Sequence, residues 1–309
     1  MKIKHQDLEE LLEEKIKGSV AEKIDALALE YRDLDQEELE FGLIKIIERI
    51  LSPDTGKSGK HRSKEWISGW EENLDEIVER PSVSEALIPK YFLRKDEKSY
   101  ARWNGRLVGA VSEYFEYNLL RALTYWLFDK YLKDAKEIYE FGCGTGQHLL
   151  TARQFNKNAR IVGLDWAESS QKIINEIKNR TNITNIEGRK FDFFNPDKRL
   201  EIGNAAVIYT IAALEQVGKN HEEFINYLLH QKPSLCFHLE PIEELMDRGD
   251  LLQYLSVEYI KRRNYLQGFM SRLRELEDRG IVEILEAKRT KVGQLFMEGY
   301  SLVVWRPKL

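Results

Sequence analysis

The chain has 309 residues, enough for one large domain or for one of ordinary size with a substantial additional region. Hydrophobic residues make up 42% of it, which suits a globular core, and the formal net charge of −5 disfavours nucleic acid as a non-specific partner. Its two cysteines, Cys143 and Cys236, provide no disulfide framework. Because we find no apolar signal segment and no run of membrane-spanning length, we expect a cytoplasmic protein without a membrane partner.

The first 130 residues have the apolar spacing of amphipathic helices. Helical periodicity predicts helices over about residues 1–50, over Trp66–Glu79 and from about Val108 to Leu132. The last of these is dense in aromatic residues, which indicates packing against a core or, alternatively, the wall of a substrate pocket. We therefore expect an all-helical N-terminal cap over residues 1–130 and a second domain over residues 131–309.

A loop-like stretch, Ser52–His61, separates two of the predicted helices. It contains Gly56-Lys57-Ser58, but the ATPase phosphate-binding motif needs a glycine where Leu51 stands, and the preceding segment is helical in pattern. We interpret the stretch as a mobile basic loop that acts as a lid or contacts an acidic substrate.

From residue 135 onward, apolar segments alternate with helical ones, which predicts a parallel sheet with crossover helices. The five predicted strands of this part are Glu137–Phe141, Arg160–Asp165, Thr184–Phe191, Ala205–Thr210 and Ser234–Leu239. A long helical stretch over about residues 250–278 follows, and two closing strands, Ile281–Arg289 and Glu298–Trp305, bring the total to seven. The predicted fold class is α/β, with a Rossmann-like, mostly parallel sheet.

The first of these strands runs into three glycines at alternate positions. The segment Tyr139-Glu140-Phe141-Gly142-Cys143-Gly144-Thr145-Gly146 reads as strand, tight turn and helix start, an arrangement that binds nucleotides. A dinucleotide fingerprint would place its third glycine one residue later. The pattern instead resembles the first motif of the Rossmann-like (class I) S-adenosylmethionine-dependent methyltransferases; the alternative is a glycine-rich turn without a ligand.

This resemblance implies S-adenosylmethionine (SAM) as the cofactor and the family's seven-stranded sheet, whose last two strands form a hairpin. The glycine loop would hold the methionine part, the acid after the second strand the ribose hydroxyls, and the residue beside it the adenine. An acid and aromatic pair after the third strand would recognise adenine, and the fourth strand would end beside the methylsulfonium. The corresponding residues are Glu140, Gly142, Cys143, Gly144, Gly146, Asp165, Trp166, Asp192, Phe193, Thr210 and Ile211.

Two ionisable residues, His238 and Glu240, end the fifth predicted strand. The carboxyl ends of parallel strands form the ligand crevice of such a sheet, so we predict that they act as a base and its orienter near the acceptor. The alternative is a core histidine and a capping glutamate. Ala213-Leu214-Glu215-Gln216-Val217 resembles a Leu-Glu-His run of small-molecule methyltransferases, but Gln216 replaces the histidine and provides no base.

Substrate contacts are predicted in the N-terminal region, at Tyr100, Arg102 and Tyr117. We expect methylation of an O or N atom of a small or sugar-like metabolite. Two alternatives stay open: a macromolecular acceptor, protein or RNA, bound by the basic loop near Lys57–Lys64, and a non-catalytic partner protein that retains the fold. No His/Cys cluster has metal-ligand spacing, so no metal is expected, and a homo-oligomer is left open.

Overall fold

The computed structural model describes residues 1–79, 86–93, 100–181 and 183–308. Within these ranges the α-helices are α1 (His5–Leu12), α2 (Ser19–Asp25), α3 (Gln36–Leu51), α4 (Ser63–Glu79), α5 (Phe115–Tyr131), α6 (Gln147–Phe155), α7 (Glu168–Thr181), α8 (Glu222–Gln231), α9 (Leu251–Arg263) and α10 (Phe269–Asp278). Short 3-10 helices are Lys60–Arg62, Lys90–Leu93, Leu214–Val217 and Glu243–Leu245.

The strands are β1 (Tyr31–Arg32), β2 (Tyr100–Trp103), β3 (Arg106–Ala110), β4 (Glu137–Phe141), β5 (Arg160–Asp165), β6 (Ile186–Lys190), β7 (Ala206–Ile211), β8 (Leu235–Glu240), β9 (Val282–Lys288), β10 (Gly293–Gln294) and β11 (Ser301–Pro307). Seven of them form one sheet in the order β6-β5-β4-β7-β8-β11-β9. The strands from β6 to β8 are parallel, and β11 runs antiparallel to both of its neighbours. The predicted α/β class and mostly parallel seven-stranded sheet are confirmed.

Helices cover both faces of this sheet, which is why its strands are apolar on both sides. Alternate residues face opposite layers: Ile138 packs in the layer that contains α5, α6 and α7, whereas Tyr139 packs in the layer that contains α8 and α10. Every residue of β7 is buried. The strand order reverses between β4 and β7, so the ligand crevice of an open α/β sheet is expected at their carboxyl ends.

In its described residues the N-terminal region is mainly helical, and there it also contains three short strands that the sequence pattern does not predict. β1, β2 and β3 form an antiparallel sheet with β10, a strand from near the other end of the chain. β2 and β3 are joined at Asn104-Gly105, which have φ of 50° and 75°, as a two-residue hairpin turn requires. Because residues 106–110 pair with β2, helix α5 begins at Phe115 rather than near Val108.

A further sequence-based expectation is corrected. The long helix predicted over residues 250–278 is two helices, because Asn264 and Gly268 take left-handed backbone conformations with φ of 52° and 77°. The basic loop packs against the end of α9: the N–H of Ser58 donates to the carbonyl of Arg263 at 2.6 Å, and the Asn264 amide donates to the Ser58 carbonyl at 3.0 Å. In the described part of the chain, no helix combines the length and apolar character needed to cross a bilayer.

Candidate functional site

A cavity of about 840 Å³, here called the central cavity, lies at the carboxyl ends of β4, β5 and β7. Its volume falls in the range of about 300–1,000 Å³ typical of small-molecule sites. The sheet contributes the glycine loop, the end of β5 and the turn after β7, while α4 and the 3-10 helix Lys90–Leu93 contribute the opposite wall. The cavity therefore lies where the reversal of strand order predicts a ligand crevice.

The glycine loop turns tightly because its three glycines have positive φ: 78° at Gly142, 49° at Gly144 and 73° at Gly146, which precedes the first residue of α6. The N–H of Gly142 donates to the carbonyl of Leu164 at 2.7 Å and fixes the loop against β5. A Cβ on Gly144 would lie 2.8 Å from the Trp70 ring, so α4 packs directly on the loop. Gly142, Cys143 and Gly144 line the cavity.

Asp165 ends β5 and lies against the same loop. Its Oδ2 accepts the Gly144 N–H at 2.9 Å, and its Oδ1 accepts the Ala167 N–H at 2.9 Å. Burial raises the pKa of this carboxyl to about 6, although both backbone N–H groups oppose the shift. Asp165 lines the cavity, and each of its oxygens has a second lone pair that can accept a hydroxyl proton.

Aromatic rings flank Asp165 on the cavity wall. Trp166 and Phe194 stack with ring centroids 6.4 Å apart, and both line the cavity together with Phe193. Asp192, which the sequence analysis predicts to contact adenine, is not among the lining residues; its Oδ1 accepts the Phe194 N–H at 2.9 Å and its Oδ2 lies 3.6 Å from the Lys60 ammonium. In this structure Asp192 shapes the turn that presents Phe193 and Phe194.

Two predicted cofactor residues lie beneath the cavity surface. Glu140 is buried, and its Oε1 lies 2.8 Å from Nδ1 of His148, while the Tyr209 hydroxyl donates to Oε2 at 3.3 Å. Burial raises the pKa of Glu140. Thr210 is also buried and bonds to His238, whereas the next residue, Ile211, lines the cavity.

The predicted catalytic pair, His238 and Glu240, is fully buried and is absent from the cavity lining. Both ring nitrogens of His238 are engaged: Nδ1 lies 2.9 Å from the Thr210 hydroxyl, and Nε2 accepts the Trp305 indole N–H at 3.0 Å. Burial lowers the pKa of His238 to about 3, so the ring is neutral at ordinary pH. This placement does not agree with a base that touches an acceptor.

Glu240 supports the turn that follows β7. Its Oε1 accepts the N–H groups of Ala213 and Leu214, and its Oε2 accepts that of Glu215, each at 3.0 Å. Burial raises the pKa of Glu240 to about 7 against the opposing effect of these bonds. β8 extends through residue 240 and pairs with β7 and β11, so both predicted catalytic side chains lie inside the sheet rather than beyond its edge.

The predicted substrate residues separate into three environments. Tyr100 lines the central cavity. Arg102 is buried and donates to the carbonyls of Leu252 at 2.7 Å and Leu295 at 3.3 Å, which joins β2 to α9 and to the segment before β11. Tyr117 lies on a separate open groove together with Arg121. The structure therefore brings only the first of the three to the cavity.

The wall opposite the sheet comes from α4, whose contacts the sequence analysis does not anticipate. The Asn73 amide donates to the carbonyls of Ala86 and Ile88 at 2.8 and 3.1 Å, and the Thr145 hydroxyl donates to that of Leu87 at 2.7 Å. These bonds fasten residues 86–88 between α4 and the glycine loop. Helical periodicity correctly placed Trp66 and Trp70 on one face of a helix, but it gives no signal for the surface that this face covers.

Glu215 is a further cavity residue that the sequence does not single out as a site residue. It lies in the 3-10 helix Leu214–Val217, lines the cavity and is only 8% exposed. Burial, with a smaller contribution from Glu240, raises its pKa to about 8. The available signal was its position in the short segment that follows the end of β7, because ligand sites form at the carboxyl ends of parallel strands. Within the described ranges, no cluster of three or more His, Cys, Asp or Glu residues is arranged to hold a metal.

Comparisons with known proteins give matches in structure alone. No protein-family model matches the chain, and no curated protein sequence does. The N-methyltransferase NodS from Bradyrhizobium japonicum, solved with S-adenosylhomocysteine, is 12% identical over 61% of this chain and 87% of that chain, with a TM-score of 0.45. A SAM-dependent methyltransferase from Aquifex aeolicus is 16% identical over 60% and 88% of the two chains, with a TM-score of 0.42.

The O-methyltransferase NcsB1 from neocarzinostatin biosynthesis, solved with SAM and a naphthoic acid, is 11% identical with a TM-score of 0.44. That match covers 63% of this chain and 58% of NcsB1, so it spans less than two thirds of the NcsB1 chain. All three TM-scores are below 0.5, and the fold assignment rests on this chain's own strand order. Counted along the large sheet alone, that order is 3-2-1-4-5-7-6 with the seventh strand antiparallel, which is a Rossmann-like, mostly parallel α/β sheet.

Proposed function

We propose that this protein is a SAM-dependent methyltransferase that methylates an oxygen or nitrogen atom of a small molecule. The observation that carries the proposal is the junction of Gly144 and Asp165 in the cavity wall. The loop N–H and the carboxylate bond to each other at 2.9 Å, which fixes a backbone turn and a ribose-binding acid side by side. That pairing at adjacent strand ends is how such a sheet holds a nucleoside.

The polar atoms of the cavity fit the cofactor. Asn73 and Gln147 line the cavity, and each has a buried amide oxygen without a hydrogen-bond partner among the described residues. Buried acceptors without donors are costly, so these two oxygens favour a ligand with N–H groups, such as the ammonium of the methionine part. Trp166 and Phe193 offer flat apolar surfaces for the adenine.

SAM would supply an activated methyl group, and the electron pair of the broken bond would remain on its sulfur. The chain's contribution is then to position the acceptor, exclude water and manage one proton. Ile211 and Ala212 end β7 at the cavity wall, and the turn after them presents Glu215 to the cavity. Trp66 and Trp70, whose rings lie 5.6 Å apart, cover the site from α4.

We further propose that residues 1–130 form the region that selects the acceptor. In support of this, α4, Tyr91, Phe92, Tyr100 and Glu116 supply much of the cavity wall that the SAM-fold region leaves open. A site covered in this way favours an acceptor small enough to be enclosed. Residues 131–309 would then hold the cofactor.

The test is isothermal titration calorimetry of the purified protein with SAM and with S-adenosylhomocysteine. We expect both to bind, and we expect Asp165→Ala to abolish binding because the carboxylate is the ribose acceptor. Asp134→Ala, which removes an exposed aspartate from the turn before β4, is the matched control and should bind like the wild type. Failure of the wild-type protein to bind either nucleoside at millimolar concentration would reject the proposal.

A further inference from the structure

The turn after β7 places two adjacent residues with acceptor groups, Glu215 and Gln216, in the wall of the central cavity. The carboxylate of Glu215 has one side-chain hydrogen bond, from the Gln216 amide to its Oε1 at 2.8 Å. The other atom of that amide, Oε1 of Gln216, is buried without a partner, and both residues line the cavity. A ligand group that satisfies both must donate at least two hydrogen bonds.

The cations nearest to Glu215 are committed to other groups. Arg62 donates from Nε to Glu65 at 2.7 Å. Arg263 donates from Nη2 to the Tyr265 hydroxyl at 3.0 Å and from Nη1 to the carbonyl of Gly56. In the described part of the chain, no cation lies within ion-pair distance of the Glu215 carboxylate. A nearly buried carboxylate without a cationic partner is costly unless a ligand supplies one.

Aromatic side chains surround this end of the cavity. Tyr259 and Phe296 stack with ring centroids 5.2 Å apart, and Tyr91 meets Trp66 edge to face at 6.4 Å. Burial, and after it the nearby Glu215 carboxylate, raises the pKa of Tyr91 and Tyr265, so their hydroxyls stay neutral. Neutral aromatic faces around a carboxylate attract an organic cation and stack on a flat ring.

Building on the proposed function, we propose that the acceptor is a planar small molecule with a primary amine, bound as its ammonium by Glu215 and Gln216. An ammonium provides the two or more donors that the pair requires, whereas a hydroxyl provides one and a carboxylate provides none. For methylation the nitrogen needs a free lone pair. Glu215 supplies it by taking one proton from the ammonium onto a carboxylate oxygen, which leaves a neutral amine and a carboxylic acid.

The ionisable groups that face Glu215 come from several elements. They are Glu240 on β8, Arg263 and Tyr265 at the end of α9, Arg62 before α4, Tyr91 on its 3-10 helix and Tyr300 before β11. Burial and, after it, Glu240 raise the pKa of Glu215 to about 8, whereas Arg263 and Arg62 act in the opposite direction. Ammonium binding requires the ionised carboxylate, so the affinity should rise with pH, by roughly twentyfold between pH 6.5 and 8.5.

The experiment uses three probes with the same ring and different side-chain ends: 2-phenylethylamine, 2-phenylethanol and phenylacetate. Each is titrated calorimetrically into protein saturated with S-adenosylhomocysteine, at both pH values. We expect the amine to bind most tightly and to show the rise with pH. Glu215→Gln should weaken amine binding by about tenfold or more and remove its pH dependence, since the charged hydrogen bond is lost.

Glu72→Gln is the control. Glu72 also lines the cavity but is exposed on α4, so this variant removes one negative charge from the cavity wall without changing the proposed amine site. This variant should keep the wild-type order of affinities. Equal or tighter binding of the alcohol or the acid, an unaltered amine affinity in Glu215→Gln, or no amine binding at millimolar concentration overturns the amine site. If the protein does not bind S-adenosylhomocysteine at all, the methyltransferase proposal is rejected instead. The two failures are therefore distinguished by separate titrations.

Discussion

Replacing Glu240 by glutamine should change how the stability of this protein depends on pH. The pKa of Glu240 rises from 4.5 to about 7 on folding, because burial outweighs the three backbone N–H bonds. An acid whose pKa is raised contributes stability that is fully present below pH 4.5 and is lost as the pH rises through 7. The full difference corresponds to roughly 3 kcal/mol of unfolding free energy.

Glutamine cannot ionise, so the unfolding free energy of the variant does not decrease in this way as the pH rises. It also places an amide NH₂ against one of the three N–H groups, which should lower the unfolding free energy by about 1–3 kcal/mol at every pH. At pH 5 we therefore expect Glu240→Gln to be less stable than the wild type. By pH 8.5 the deficit should have disappeared or reversed.

Urea unfolding followed by tryptophan fluorescence, repeated between pH 5 and 8.5, measures this difference. Glu201→Gln, in an exposed loop before β7, serves as the control and should track the wild type at every pH. A gap between Glu240→Gln and the wild type that stays constant across the pH range would refute the reasoning, because it would mean that the Glu240 carboxyl has an ordinary pKa.

Three further predictions concern the cavity and its supports. Gly144→Ala should lower the unfolding free energy by about 1–3 kcal/mol, since φ is 49° and the new Cβ would meet the Trp70 ring. Adding Trp70→Leu should recover part of that loss in a double-mutant cycle measured by urea unfolding. Strictly additive losses would contradict the contact. S-adenosylhomocysteine affinity should fall roughly tenfold from pH 7 to pH 5 as Asp165, with its pKa of about 6, takes up a proton. Calorimetry checks this, and an unchanged affinity would argue against the carboxylate as the ribose acceptor. Arg102→Met should lower stability by about 2–3 kcal/mol, because two buried carbonyls lose their donor, yet leave nucleoside affinity unchanged; a selective loss of binding would restore a ligand role to Arg102.

The large sheet was predictable because most of its strands can be identified from neighbouring residues in the sequence alone. β4, β5, β7 and β8 are mainly apolar runs, because burial on both faces makes such runs continuous in sequence. The glycine loop and Asp165 followed from the same signal, since each lies at a strand end where the chain must turn. In the structure Gly142, Cys143, Gly144 and Asp165 all line the central cavity.

The small sheet was not predicted, because its pairing depends on distant residues. Gly293 pairs with Arg102, and neither strand is long enough to show an alternating pattern. One local signal was present: Asn104-Gly105 between two aromatic or apolar segments is a strong hairpin motif, and the sequence analysis passed over it.

His238 and Glu240 show why a strand end read from sequence is a weak guide to a site. The apolar run suggests that β8 stops at Leu239, whereas the strand continues through Glu240 and is covered by β7 and β11. The one-residue difference in the strand's end moves Glu240 from the crevice into the sheet, while His238 lies inside the predicted strand and its side chain is buried. Glu215 occupies the crevice instead, on a short turn whose direction only the folded structure reveals.

The pairing of β10 with β2 has a consequence for synthesis on the ribosome. The N-terminal region emerges first, yet its sheet gains its last strand only after residue 294 has been made. Residues from the segment 294–300 also line the central cavity. A nascent chain can therefore fold its glycine loop early, but the wall of the central cavity is complete only after residues 294–300 have been made.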